Sequence, residues 1–302
     1  MARPGYYASA GSISQTQCAA GSWNDLDAQG ACRPCPAGAY CALGAVLPVL
    51  CAAGTFSSTL NATSLATCRN CTAGSYCRTS GSTQPTGLCL AGYWCTAGST
   101  SETQNVARPG YYALAGSASQ TPCAVGSWND LAAQDACRPC PAGAYCELGA
   151  VLPVLCAAGT FSSAPNATSQ LTCQNCTAGS FCETSGLAQP TGLCLAGYWC
   201  AAGSTSDKPI AAQPGYYALA GSASQTPCAA GSWNDLAAQG ACRPCPAGAY
   251  CAQGAVIPVS CAAGTFSGTE NATSPLTCQS CTAGSFCKTP GLAQPTGLCL
   301  AG

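Results

Sequence analysis

The sequence predicts small disulfide-rich tandem repeats, mostly irregular with short β-hairpins, stacked into an elongated rod. Three observations lead there. The chain carries 29 cysteines among 302 residues and no histidine. It repeats with a period of 105 residues, and inside each period a cysteine, one residue, Ala-Gly, a spacer and an aromatic recur as a unit.

The cysteine content comes first because it bounds the class. Cysteine near one residue in ten marks a disulfide scaffold, and a chain so rich in it belongs to an oxidising space such as the cell exterior. Within one period the cysteines are Cys18, Cys32, Cys35, Cys41, Cys51, Cys68, Cys71, Cys77, Cys89 and Cys95. They recur as Cys123, Cys137, Cys140, Cys146, Cys156, Cys173, Cys176, Cys182, Cys194 and Cys200, then as Cys228, Cys242, Cys245, Cys251, Cys261, Cys278, Cys281 and Cys287. Cys299 stands where Cys89 and Cys194 stand, with no counterpart of Cys95 after it, so the chain reads as a segment of a longer array.

The period gives the organisation: repeats at 1–105, 106–210 and 211–302, each with sub-modules beginning near the Cys18, Cys51 and Cys89 positions. Between 108–197 and 213–302, 76 of 90 positions are identical. Glu183 becomes Lys288 across that comparison, so the charge at this position is not required for folding. The cysteine-free segment 96–122 reads as a lead into the next period.

The smallest unit appears as CAAGSW at Cys18, CPAGAY at Cys35, CAAGTF at Cys51, CTAGSY at Cys71 and CLAGYW at Cys89. Its glycine permits a positive φ or a close backbone approach, and its aromatic covers a neighbouring sulfur bridge. Turn formers are too closely spaced for a long helix, and short strands are expected near Gly5–Ala8, Gly54–Ser57 and their period mates. One helical turn is expected over Ser22–Gln29, with Ser22 as cap, Asp25 three residues on and Gly30 as terminator.

So little conventional core implies covalent closure, each loop of the Cys18-to-Cys32 size being worth on the order of 3 kcal/mol. Connectivity is not readable from spacing. The simplest scheme pairs neighbours: Cys18 with Cys32, Cys35 with Cys41, Cys51 with Cys68, Cys71 with Cys77 and Cys89 with Cys95. Interleaved pairing, such as Cys35 with Cys51, stays open.

Metal and catalytic chemistry find little support. The Cys32/Cys35 and Cys68/Cys71 doublets have zinc-like internal spacing, but their separation is long and six further cysteines per period would lack a role. With no histidine, Ser-His-Asp and Cys-His arrangements are excluded, and no thioredoxin-like context surrounds the CxxC pairs. No enzyme, cofactor or metal is therefore expected. Nine basic and ten acidic residues leave no charge footprint for nucleic acid or anionic membrane. The longest apolar run, 44–54, is too short and proline-broken to span a bilayer. The N-terminal MARPGYYASAG lacks the pattern of a secretory signal, so an exterior location expects a signal outside this segment.

Covalent glycans are the one expected addition. Asn61-Ala62-Thr63, Asn166-Ala167-Thr168 and Asn271-Ala272-Thr273 are N-glycosylation sequons in register with the period. Asn70-Cys71-Thr72 and Asn175-Cys176-Thr177 rank lower, since a bridged cysteine sits inside each and Ser280 replaces the asparagine in the third copy. Hydroxyl-rich stretches at Ser99–Thr103 and Ser204–Ser206 are candidates for O-glycans.

CRPCPAGAYC at 32–41 and CAAGTFSSTLNATSLATCRNCTAGSYC at 51–77 resemble the cysteine-rich, EGF-like repeats of growth-factor-receptor, tumour-necrosis-factor-receptor and ephrin-receptor ectodomains. The resemblance covers essentially the whole chain and implies internally bridged modules stacked end to end. The near-identical, alanine- and glycine-rich array also resembles proteins of mastigonemes, the hair-like surface filaments of flagella. That implies a glycosylated subunit polymerising with copies of itself, alongside other surface glycoproteins, at a cell or flagellar surface. The expected function is an extracellular structural protein that self-assembles into a filament or coat. The alternative is a receptor or adhesive ectodomain binding a protein or carbohydrate.

Overall fold

The computed structural model of the chain describes residues 1–299. It contains tandem modules of almost wholly irregular backbone, each joined to the next by a two-stranded antiparallel hairpin of two residues per strand. Three 3₁₀ turns, Leu65–Thr67, Gln170–Thr172 and Pro275–Thr277, recur at the period. The chain divides into two compact units, Met1–Cys140 with Cys146–Pro153, and Pro141–Tyr145 with the residues from Val154 onward.

In the first unit a module starts at a small buried residue: Ala2, Cys18, Cys35, Cys51, Cys71, Cys89, Ala107 or Cys123. A tight turn follows, as in Ala19–Ser22, where the Ser22 amide donates to Ala19 O at 3.0 Å and Gly21 has φ 89°. Glycine at the third turn position is what a type II turn requires, and Pro4 occupies the second position of the equivalent turn in Arg3–Tyr6. The two residues after the glycine form a strand. Tyr6–Tyr7 pairs with Thr16–Gln17, and Ser22–Trp23 pairs with Arg33–Pro34, the two residues that precede the next module. Strands this short have almost no sheet of their own, so their register is held by what flanks them.

What flanks them is a ladder of backbone bonds between successive modules. The Cys35 amide donates to Gly21 O at 2.9 Å, the Gly21 amide to Cys41 O at 2.8 Å, and the Asn61 amide to Cys35 O at 2.9 Å. Each buried donor thereby finds an acceptor one module away, which irregular backbone needs if it is to be buried at all. The glycine is doubly constrained, because a Cβ on Gly21 would also lie 2.5 Å from the Asn61 carbonyl oxygen, two modules on. The second unit repeats this pattern: Cys245 donates to Gly231 O at 2.9 Å, Gly231 to Cys251 O at 2.8 Å and Asn271 to Cys245 O at 2.8 Å.

The core of a module is sulfur and alanine. Cys35, Ala39 and Cys41 form a buried cluster with Trp23 and Ala45 packed against it, and Cys245, Ala249 and Cys251 do the same with Trp233 and Ala255. The bridge is covered by the aromatic of the preceding module, while Tyr40 within the module is half-buried.

The helical turn expected over Ser22–Gln29 is absent. Ser22 and Trp23 are strand, Asn24 is fully buried, and a bend and turn follow. The capping pattern is a local preference. It loses to pairing with Arg33–Pro34 and to the buried position that Asn24 fills in the ladder.

Candidate functional site

Each module closes on a residue six positions after its first, and the closing residue decides how the module is braced. Where it is cysteine, the bridge is local: Cys35–Cys41, Cys71–Cys77 and Cys89–Cys95, with Cα separations of 5.9, 6.0 and 6.1 Å. Where it is Asn24 or Ser57, the first cysteine reaches forward instead, giving Cys18–Cys32 and Cys51–Cys68. The second period pairs Cys123–Cys137, Cys140–Cys146, Cys156–Cys173, Cys176–Cys182 and Cys194–Cys200. The third pairs Cys228–Cys242, Cys245–Cys251, Cys261–Cys278 and Cys281–Cys287, and Cys299 is exposed and unpaired.

A sixth module per period escaped the sequence reading because it has no cysteine. It begins at Ala2, Ala107 and Ala212 and closes on Ala8, Ala113 and Ala218, with Pro-Gly-Tyr-Tyr between. Ala107, Ala113, Ala212 and Ala218 are buried where cystine is buried elsewhere. The usable signal was the glycine-aromatic pair at unit spacing, which continues through the cysteine-free stretch. These modules are braced by their neighbour. Asn24 Nδ2 donates to Tyr6 O at 2.7 Å, Asn129 Nδ2 to Tyr111 O at 3.0 Å and Asn234 Nδ2 to Tyr216 O at 2.8 Å.

The sequon asparagines have a backbone role of their own. Asn61, Asn166 and Asn271 are exposed at φ 55°, 58° and 56°, the left-handed conformation that glycine takes at the equivalent Gly44, Gly81 and Gly98. Asparagine tolerates this conformation better than most residues, so the turn alone accounts for its presence. The middle alanine of each sequon is buried and the threonine exposed. Asn70 and Asn175 lie in hairpin strands opposite Thr55 and Thr160, ahead of bridged Cys71 and Cys176.

Most of the arginines stack on aromatics. Arg33, Arg138 and Arg243 lie over Trp23, Trp128 and Trp233, with the guanidinium 5.1, 4.1 and 4.2 Å from the ring centre, and each pairs with Asp25, Asp130 or Asp235. Arg78 pairs with Glu102, and that guanidinium holds the Glu102 carboxyl below its usual range. Among the described residues no cluster of three metal-ligating side chains occurs. A shallow groove of about 390 Å³ beside Cys156–Cys173 is lined by Tyr145, Leu155, Leu171, Asn175 and other uncharged residues.

The surface is instead marked by exposed apolar side chains. Val46, Leu47, Val49 and Leu50 are exposed, as are Val151, Leu152, Val154 and Leu155 at the next period, then Val256, Ile257 and Val259. No charged residue interrupts any of these runs.

No protein-family model matches the chain, and no curated protein matches it. No helix among the described residues is long and apolar enough to cross a membrane.

Proposed function

We propose that this chain is an extracellular structural protein, a glycosylated repeat that self-assembles with its own copies into a filament or surface coat. The observation that carries this reading is the exposed Val-Leu-Pro-Val-Leu run of 46–50, returning at 151–155 and as Val-Ile-Pro-Val-Ser at 256–260. Contiguous exposed apolar surface is an association site more often than an accident, and a monomer gains nothing from exhibiting it at regular intervals. Near-identical repeats suit this, because a self-association surface needs equal contacts at every copy. The fourteen disulfides fit an oxidising, extracytosolic setting. Glycans at Asn61, Asn166 and Asn271, with O-glycans on the Ser/Thr stretches, would supply the solubility that so few charges do not.

The test is electron microscopy and sedimentation of the disulfide-bonded chain over a range of concentrations. Ordered fibres or sheets are expected, lost when Leu47, Leu152 and Ile257 are together changed to serine. Monodisperse single chains at high concentration would overturn the proposal. Peptide-N-glycosidase treatment, with mass measurement, checks the three sequons separately.

A further inference from the structure

We propose that the alanine-closed modules at Ala107–Ala113 and Ala212–Ala218 are yielding joints that open locally and reversibly before any cystine-closed module. Three weaknesses coincide there. First, the structure places no bridge between Cys95 and Cys123 or between Cys200 and Cys228, whereas every module apart from these two and the Ala2 module contains a cysteine that is bridged or, for Cys299, stands last.

Second, the ladder bond to the module's first residue comes from a strained donor. The Ala133 amide donates to Ala107 O at 2.8 Å and the Ala238 amide to Ala212 O at 2.8 Å, with these alanines at φ 58° and 57°. At the equivalent position other modules use Gly44, Gly81, Gly98 and Gly116, or Asn61. Alanine carries a Cβ that makes the left-handed conformation costly, so the weakest rung of the ladder lies on the unbridged module. Third, the remaining side-chain braces are hydrogen bonds: Asn129 Nδ2 to Tyr111 O at 3.0 Å and Asn234 Nδ2 to Tyr216 O at 2.8 Å, with Gln120 Oε1 and Gln225 Oε1 accepting from the Arg108 and Gln213 amides at 3.0 and 2.9 Å.

The consequence is mechanical. In a bridged module tension is short-circuited through sulfur over the loop that the bridge closes, leaving only stretches such as 42–50 and 78–88 free to lengthen. Across 96–122 and 201–227 it runs through uncrosslinked backbone, and release of either segment would add up to about 90 Å of contour at ~3.4 Å per residue. Strain is commonly stored where a structure is required to move. This inference rests on the bridge pattern and the backbone, and holds whether or not the chain assembles with its copies.

Hydrogen exchange on the oxidised full chain tests it. The amides of Ala107, Gly110, Ala113 and Ala133 should exchange roughly five- to thirtyfold faster than their counterparts Cys71, Gly74, Cys77 and Gly98. Ala133→Gly should slow exchange in the Ala107 module several-fold, although glycine normally loosens a chain. A107C/A113C, with bridge formation verified by thiol assay, should bring the module to the level of Cys71–Cys77. Equal exchange in the two modules, or unchanged or faster exchange in Ala133→Gly, overturns the proposal. If the double-cysteine variant fails to oxidise, the Ala133→Gly comparison decides alone.

Discussion

Two modules of the first compact unit, one starting at Cys71 and the other at Ala107, share a backbone and differ in chemistry. In the first, Cys71 donates to Gly54 O, Gly74 to Cys95 O, Gly98 to Cys71 O and Cys77 to Ser99 O, all at 2.8–2.9 Å. In the second, Ala107 donates to Gly92 O, Gly110 to Asn129 O, Ala133 to Ala107 O and Ala113 to Gln134 O, at 2.7–3.0 Å. One is cross-linked by Cys71–Cys77 and the other by nothing covalent. The disulfide therefore does not shape the module. Its role is to restrict the unfolded chain, and the ladder sets the geometry that permits it.

The largest effect that can break this comparison is reduction of all the bridges. Closing loops with separations of 14 and 17 is worth about 3 kcal/mol each, and the short loops of separation 6 about 2 kcal/mol. Fourteen such terms far exceed the ~5–15 kcal/mol by which domains are ordinarily stable, so the reduced chain should unfold throughout. Circular dichroism and amide exchange under reductant check this. If the Ala107 module kept its protection after reduction, the ladder would be stable without covalent help. A finer cut is Cys71→Ala with Cys77→Ala, which should cost about 2 kcal/mol in denaturant unfolding yet leave the hairpin Ser75–Tyr76 with Gly87–Leu88 in place by NMR.

Next in size are glycine substitutions, which address the ladder itself. Gly21 at φ 89° would direct a new Cβ to within 2.5 Å of Asn61 O, whereas a Cβ on Gly11 at φ 80° would meet nothing within 4 Å. Gly11→Ala should cost about 1–2 kcal/mol for the left-handed backbone alone. Gly21→Ala should cost clearly more, since backbone two modules away must shift as well. Urea midpoints of the two oxidised variants measure the difference, and equal losses would show that close approach between modules is not what selects glycine.

The same distinction explains what the sequence disclosed. Cysteine spacing and the 105-residue period announced tandem, disulfide-stapled modules with short hairpins, and the glycine-aromatic element marked the turn and strand of each. The Ala107 module was passed over because sulfur is conspicuous and alanine is not, although both fill the same buried position. The turn expected over Ser22–Gln29 failed for a related reason. Ser22, Asp25 and Gly30 satisfy a local helix pattern, but Trp23 and Asn24 answer to partners at Arg33 and Tyr6 that local pattern does not reveal. Asn61 is the converse case: a sequon is plain in sequence, while the left-handed turn that also requires such a residue is visible only in three dimensions.

A more local effect concerns the strut that replaces a bridge. Asn24 is fully buried, with Nδ2 donating to Tyr6 O and to Leu26 O at 3.0 Å. Asn24→Ala strands the Tyr6 carbonyl and should destabilise by about 1–3 kcal/mol, with the loss of protection concentrated in the Ala2 module. A loss spread evenly over the unit would mean that the strut serves the ladder generally and not the module that lacks sulfur.

The smallest expected effect separates two periods of the chain. Arg78 pairs with Glu102 in the first, while Glu183 and Asp207 occupy those positions in the second, so the pair is an addition to the fold and not a condition of it. The hydrogen bond from Arg78 lowers the Glu102 carboxyl below its ordinary 4.5. A group depressed in the folded state stabilises above its unfolded pKa and loses that contribution as pH falls through the folded value, so the window lies below about pH 4.5. Arg78 is exposed and Glu102 half-buried at the surface, and the pair is screened by salt. Carbon-detected NMR titration should place the Glu102 midpoint below 4.5 and return it upward in Arg78→Ala. Glu183→Arg should in turn recreate in the second period the contact that the first acquired, read as a small salt-dependent coupling to Asp207 in a double-mutant cycle; no coupling would mean that the two periods differ in loop geometry as well as in charge.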